Sequence, residues 1–361
     1  MTSTTRAALV SLATVGVLAL AACGSDNGAK TSTNATGKAD CAKGAISGSG
    51  STFQQNIEQQ WIKDYGNKCA GAQINYQGTG SGAGIEQFGA GTIDFAGSDV
   101  TMKPDEQAKA DAQCGGKAIH VPVTAGGIAI MYNVKGVKSL NLSAKTLAGI
   151  FQGSIKKWND AQIAADNSGA SLPATPIAAY HRADGSGTTS VFSNFEAANA
   201  GDAWKLSVGK QLNWKGGQAA KGSDGVTAGV KQTDGAVTYV ELSFAKANSL
   251  PTAKVKGAGS DFVALSGDTV ATFLASSFKI TGQGADLGGK VDFTGADGYP
   301  ISTVSYVIVC GKAKDAAKGK LLRSYLDYAV GPGQAVAGSL GFASLPAAIG
   351  DRVKAAAKAL S

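Results

Sequence analysis

Residues 74–99, INYQGTGSGAGIEQFGAGTIDFAGSD, decide the fold. Ile74-Asn75-Tyr76 is short and β-prone and reads as a strand. It runs into Gly78-Thr79-Gly80-Ser81-Gly82, and a helix through Ile85 and Phe88 follows. Ile93-Asp94-Phe95-Ala96 is the next strand, ending at Ser98-Asp99. The same order occurs just upstream. Ala45-Ile46 leads into Gly48-Ser49-Gly50-Ser51-Thr52, after which Phe53, Ile57 and Trp61 share one helix face at i, i+4 and i+8. Pro104-Asp105-Glu106 opens another helix, with proline and acids in its first turn. Strands alternating with helices predict a parallel α/β sheet.

Further along, Val121-Pro122-Val123 and Gly127-Ile128-Ala129-Ile130-Met131 read as a crossing into a second lobe. There, Ile177-Ala178-Ala179-Tyr180 is a strand, and Gly185-Ser186-Gly187-Thr188 opens the next helix. Pro300-Ile301-Ser302 and Tyr306-Val307-Ile308-Val309 read as the return, and residues 312–328 and 347–360 are helical in pattern. Two crossings imply two hinged α/β lobes with a cleft between them. Lobe I is discontinuous, 41–123 and 302–361; lobe II is 124–301.

The N-terminus reads as an export signal. Arg6 precedes an apolar run from Ala7 to Leu20, too short to cross a bilayer comfortably. The run ends in Leu20-Ala21-Ala22-Cys23, which resembles the lipobox of bacterial lipoproteins. Residues 1–22 are then a signal peptide and Cys23 the lipidated, palmitate-bearing residue, anchored on the outer side of the cell membrane. Residues 24–40, rich in Ser, Thr, Gly, Asn and Lys, extend Cys23 into a flexible tether spanning 23–40.

The other cysteines are Cys41, Cys69, Cys114 and Cys310. In an exported chain, four cysteines predict two disulfides. Cys41 and Cys69 each lie just before adjacent strands of lobe I, which predicts that they pair. Cys114 and Cys310, which flank the two crossings, form the second pair. With no CxxC motif and only His120 and His181 as histidines, no metal site is expected. The formal net charge is +7 over 361 residues, without a run of five like charges, which argues against nucleic acid as a partner.

Three Gly/Ser/Thr loops therefore lead from strands into helices: 48–52, 80–82 and 185–188. Glycine admits close backbone approach, the hydroxyls add donors, and a helix start presents unpaired N–H groups. Together they form an anion cradle at the carboxyl ends of the strands. Arg182, one of four arginines, sits just before the third loop, and its planar fork suits a tetrahedral oxyanion. Asp184 is placed to orient it. Asp99 has no obvious partner. It reads either as a helix N-cap or as an acceptor for a ligand O–H, which protonated phosphate has and sulfate lacks.

Ser49 to Phe53, Tyr76 to Gly82, Ile93 to Asp99 and Arg182-Ala183-Asp184-Gly185-Ser186-Gly187-Thr188 resemble, in order and spacing, the PstS-type phosphate-binding proteins of ABC importers. The resemblance runs over about 42–361. It implies a two-lobed, periplasmic-binding-protein-like fold that binds inorganic phosphate outside the cytoplasmic membrane and passes it to the importer's permease and ATPase subunits. It implies ligand contacts from Thr52, the Phe53 amide, Ser81, Asp99, Arg182, Ser186, Gly187 and Thr188, with Asp184 supporting Arg182. No cofactor is implied. Gln54 departs from the family, where Pro often follows the Phe, and Ser81-Gly82-Ala83-Gly84 replaces the common Ser-Ser-Gly-Gly. The competing readings are a secreted phosphatase and a binder of another oxyanion. Phosphatase chemistry needs a metal or an activated nucleophile. Only His120 and His181 offer an imidazole, and His181 should point away from Arg182 along the strand.

Overall fold

The computed structural model describes residues 41–345 and 347–360. The signal segment, the tether and Cys23 lie outside the described residues. The first half of the chain runs β1 (Gly44–Gly50), α1 (Gln55–Lys68), β2 (Ala72–Gly78), α2 (Ser81–Gly89), β3 (Phe95–Ser98), α3 (Pro104–Cys114) and β4 (Ala118–Asn133). Then come β5 (Asn141–Ser143), α4 (Ala144–Phe151), α5 (Ala161–Asp166), β6 (Ala178–Arg182), α6 (Gly187–Asn199), β7 (Gln218–Ala220), α7 (Gly222–Gln232), β8 (Ala236–Glu241) and α8 (Leu242–Ala247). The last part holds β9 (Lys254–Lys256), α9 (Gly267–Ser277), β10 (Phe278–Ile280), β11 (Gly289–Val291), β12 (Ser302–Cys310), α10 (Ala316–Ala329), α11 (Ala337–Leu340) and α12 (Ala347–Ala359).

The main sheet has the order β2-β1-β3-β12-β4-β8-β6-β7. Its flanks are parallel: β1 with β2 and β3 on one side, β6 with β7 and β8 on the other. Its centre corrects the expectation of a parallel sheet, because β12 is antiparallel to β3 and β4, and β4 is antiparallel to β8. The physical reason is the route of the chain. β4 leaves one flank for the other without a break, and β12 returns beside it in the opposite sense. Residues 118–127 of β4 pair with β12, and Ile128–Asn133 pair with β8. From Ala118 to Tyr132 every residue of β4 is buried, as its apolar run requires.

The β12–β4 register slips at Ser305/Tyr306, where Thr124 and Pro122 face them and Val123 is passed over. Pro122 has no N–H for a ladder bond, so a central strand tolerates it at a bulge. Two other expectations shift. Gly48 to Gly50, read as loop, continue β1 and pair with both neighbours; a Cβ at Gly48 would strike the Phe95 ring at 2.3 Å. The C-terminal helix begins at Ala316 rather than 312, because the Asp315 side chain accepts from the amides of Ala317 and Lys318. Both disulfides form as expected. Cys41–Cys69 ties the start of β1 to the end of α1, and Cys114–Cys310 ties α3 to the end of β12.

Candidate functional site

Four helices begin at the same point on the sheet: α1, α2, α6 and α7. Their starts interlock. Thr52 Oγ1 lies 2.7 Å from Ser223 Oγ and accepts from the Ser223 amide at 3.3 Å. The Gly82 amide donates to Gly185 O at 2.7 Å. Ser186 caps α6 by accepting from the Thr189 amide at 3.1 Å. Gly187, the first residue of α6, faces Ser81 and Asp99 so closely that a Cβ there would fall 2.4 Å from Ser81 Oγ and 2.5 Å from Asp99 Oδ2. First-turn amides of a helix have no partner within it, so several converge here with the positive ends of their dipoles.

Arg182 ends β6 and is buried. Asp184 grips it on two prongs, Nε to Oδ1 at 2.8 Å and Nη2 to Oδ2 at 2.5 Å, while Nη1 donates to Ser223 Oγ at 3.4 Å. Asp184 Oδ1 also accepts from the Gly222 amide at 2.9 Å. Burial raises the Asp184 carboxyl, but the hydrogen bonds and charge of Arg182 outweigh it and hold the group below its ordinary range. The guanidinium is thus fixed in orientation by an ionised partner.

Asp99 follows β3 and is 2% exposed. Contrary to the expectation that it lacks partners, Ser51 donates to Oδ1 at 2.5 Å and Ser305 at 2.7 Å. Oδ2 has only Ser81 Oγ at 3.5 Å and is the oxygen turned toward Gly187. The helix-cap reading is overturned, because Lys103 occupies the N-cap of α3, where its amide donates to Glu106 Oε2 at 2.9 Å. Burial raises Asp99 above its usual range, against the hydrogen bonds of Ser51 and Ser305 and the charge of Arg182. A cavity of about 390 Å³ opens onto Asp99, lined also by Thr101, Ser190, Asn194, Lys290 and Tyr306.

The nominated residues therefore gather at one place, with differences in their present partners. The Thr188 hydroxyl is buried and has no hydrogen-bond partner, a donor left over at the mouth of α6. The Thr52 hydroxyl is engaged with Ser223, and the Phe53 amide donates to Ser51 Oγ at 3.0 Å while its ring packs edge-on against Phe342. Ser223 and Ser305, which contact the candidate site, do not figure in the sequence reading, and Ser51, though within the first loop, is not assigned there to Asp99. Gly222-Ser223-Asp224-Gly225 repeats the Gly/Ser helix start after a strand and was findable on that pattern. Ser305 had no comparable signal, since it is the antiparallel register of β12 on β3, with Tyr306 opposite Ser98, that brings it to Asp99.

Neither histidine reaches the cradle. His181 points away from the Arg182 side chain, stacks on Trp214 at 4.8 Å, and is pushed down by burial, against its backbone hydrogen bonds. His120 Nδ1 pairs with Asp286 at 2.9 Å, and its Nε2 accepts from the Met102 amide at 3.0 Å. Among the described residues, no group of three or more His, Cys, Asp or Glu could hold a metal ion. Across the rim, Lys210 pairs with Glu106 at 2.5 Å and Asn56 donates to Ser243 at 2.7 Å.

Residues 28–332 match the PBP superfamily domain. The chain is 39% identical to the phosphate-binding protein PstS 3 of Mycobacterium leprae, over 97% of this chain and 98% of that one. It is 38% identical to PstS 2 of Mycobacterium tuberculosis over 98% of both. Among solved structures it resembles a periplasmic phosphate-binding protein, PfluDING, bound with phosphate, at TM-score 0.69 and 24% identity, over 86% of this chain and 93% of that one. An ancestral soluble variant of the human phosphate-binding protein gives TM-score 0.71 at 23% identity, with the same coverage. These two likenesses concern the fold.

Proposed function

The chain belongs to the PstS-type phosphate-binding proteins, and from that premise we propose that it binds inorganic phosphate outside the cytoplasmic membrane and delivers it to an ABC importer. The observation that carries the reading is the pairing of an oriented, buried guanidinium with a buried carboxylate on opposite walls of one cradle. Arg182 neutralises the anion, and Asp99 Oδ2 accepts its O–H. The remaining donors are the hydroxyls of Thr52, Ser81, Ser186 and Thr188 and the amides of Phe53 and Gly187. Thr52 and Phe53 would exchange their present partners, Ser223 and Ser51, for ligand oxygens. The orphaned Thr188 hydroxyl needs no such exchange.

Closure follows from the topology. Lobe I would comprise 41–123 and 302–361 and lobe II 124–301, hinged where β4 and β12 pass between them. The Leu20-Ala21-Ala22-Cys23 motif supports lipid anchoring through Cys23 on the outer membrane face. The protein is not an enzyme in this reading, since neither histidine stands at the cradle to act as a base. Calorimetric titration of the chain lacking residues 1–23 tests the proposal. One phosphate should bind per chain, and the same sample should leave p-nitrophenyl phosphate intact. Hydrolysis at a steady rate would favour the phosphatase reading instead.

A further inference from the structure

Behind Asp99, away from the cradle, lies a set of buried polar groups that ligand binding does not use. Gln54, at the N-cap of α1, is fully buried. Its amide nitrogen lies 3.5 Å from Glu58 Oε1 and 3.4 Å from the Tyr76 hydroxyl, and its amide oxygen accepts from Ser305 Oγ at 2.7 Å. Ser305 Oγ is also 2.7 Å from Asp99 Oδ1. A hydroxyl has one hydrogen to give, so Gln54 and Asp99 compete for it. Tyr76 donates to Ser51 O at 2.8 Å and so can only accept from Gln54. Glu58 is itself fully buried, and the Tyr325 hydroxyl donates to its Oε2 at 2.5 Å.

We propose that Gln54 and Glu58 are positioning residues that act through Ser305 on Asp99, so that the charge state of Glu58 sets phosphate affinity. The inference rests on the phosphate-binding reading above. With Glu58 ionised, its carboxylate holds the Gln54 NH2 group, the Gln54 oxygen faces Ser305, and the Ser305 hydrogen is drawn from Asp99. A protonated Glu58 is a donor. The amide then turns over, its oxygen takes the Glu58 hydrogen, and its NH2 group faces Ser305 Oγ, which is left to donate to Asp99. Amide oxygen and nitrogen are nearly equal in size, so the turn needs no repacking. The ionised state also puts a second negative charge behind Asp99, which opposes an incoming anion.

The groups facing Glu58 are Tyr325 of α10, with Tyr328 beyond it, Tyr76 of β2, and Asp99 at the end of β3, reached through Ser305 of β12. Arg182 acts on Asp99 from the cradle side. The 3-10 turn Pro332–Val336 and α11 bring no ionisable side chain. Burial pushes Glu58 up to about 7, against its bond from Tyr325, so both charge states are populated near neutral pH.

The test is phosphate affinity of wild type, Glu58→Gln and Gln54→Leu by equilibrium dialysis between pH 6 and 8.5. Titration of phosphate itself is common to all three and cancels in the ratios. Glu58→Gln should gain on wild type as pH rises, by about tenfold across the range, the usual size of coupling within one buried network. Gln54→Leu should show a smaller pH dependence of that ratio. Should Glu58→Gln not fold, the wild type carries the test alone. Because linkage is reciprocal, saturating phosphate must move the Glu58 carboxyl titration, followed by carbon-13 NMR, upward by about one pH unit. A ratio flat with pH, or an unmoved Glu58 titration, overturns the relay. A wild type that binds no phosphate at any pH overturns the functional reading itself, and the relay with it.

Discussion

Gly187→Ala isolates the closed cleft from the stability of either lobe. The added Cβ would lie 2.4 Å from Ser81 Oγ, 2.5 Å from Asp99 Oδ2 and 2.8 Å from Asp99 Cβ. Ser81 can rotate away, but Asp99 Cβ moves only with its backbone, and Oδ1 is held by Ser51 and Ser305. The methyl group therefore forces α6 away from β3. Overpacking of this kind costs about 1–3 kcal/mol, and each 1.4 kcal/mol is about tenfold in affinity. Phosphate affinity should fall about 5- to 150-fold. Gly187 lies outside the positive-φ region, so alanine suits the first turn of α6, and if the lobes part as proposed above the clash arises only on closure. Thermal melting without ligand should thus stay near wild type, while calorimetry reports the loss. Wild-type affinity, or a melting loss that matches the binding loss, would refute the reasoning.

Arg182→Ala should nearly abolish binding, since truncating one partner of a buried charge pair costs about 2–5 kcal/mol, and Arg182→Lys should also weaken it because an ammonium cannot reproduce the fork; calorimetry with phosphate checks both. Glu106→Gln removes the Lys210 pair across the rim, and phosphate release in stopped flow should quicken by no more than about fivefold, as partly exposed pairs contribute at most about 1 kcal/mol. Glu58 titrates near 7 when folded against an ordinary 4.5. The folded state then holds a proton that the unfolded state has lost, so this group's contribution to stability is present below about 4.5 and disappears as pH rises through 7. Glu58→Gln should therefore reduce the loss of stability between pH 5 and 8, by an amount on the order of 3 kcal/mol, read from urea unfolding at both pH values.

The cradle was legible because its parts are local. A Gly/Ser/Thr loop at a helix start, an arginine at a strand end and an aspartate after a strand each show in a few adjacent residues. What the sequence hid depends on partners far along the chain. The apolar run of β4 is the same whichever way its neighbours point, so the antiparallel centre had to come from the route of β12. Gly48 to Gly50 lack any strand preference of their own, yet the Phe95 ring fills the space over Gly48 and pairing on both edges holds them extended. Ser305 reaches Asp99 because β12 runs antiparallel to β3 with Tyr306 opposite Ser98, which carries the next residue, Ser305, beside Asp99. Asp99 looked unpartnered for the same reason, since Ser51 and Ser305 lie 48 and 206 residues away.

The central claim is that one buried guanidinium and one buried carboxylate together select a protonated tetrahedral anion. Competition by sulfate against labelled phosphate, in wild type and Asp99→Asn at one pH and ionic strength, tests it directly. Sites built to hydrogen-bond a ligand O–H reject analogues lacking it by about 10⁴–10⁵, so sulfate should not displace phosphate from the wild type. In Asp99→Asn the repulsion is gone and the amide can donate, so sulfate should compete measurably. Sulfate displacing phosphate from the wild type, or failing equally against both proteins, would contradict the account.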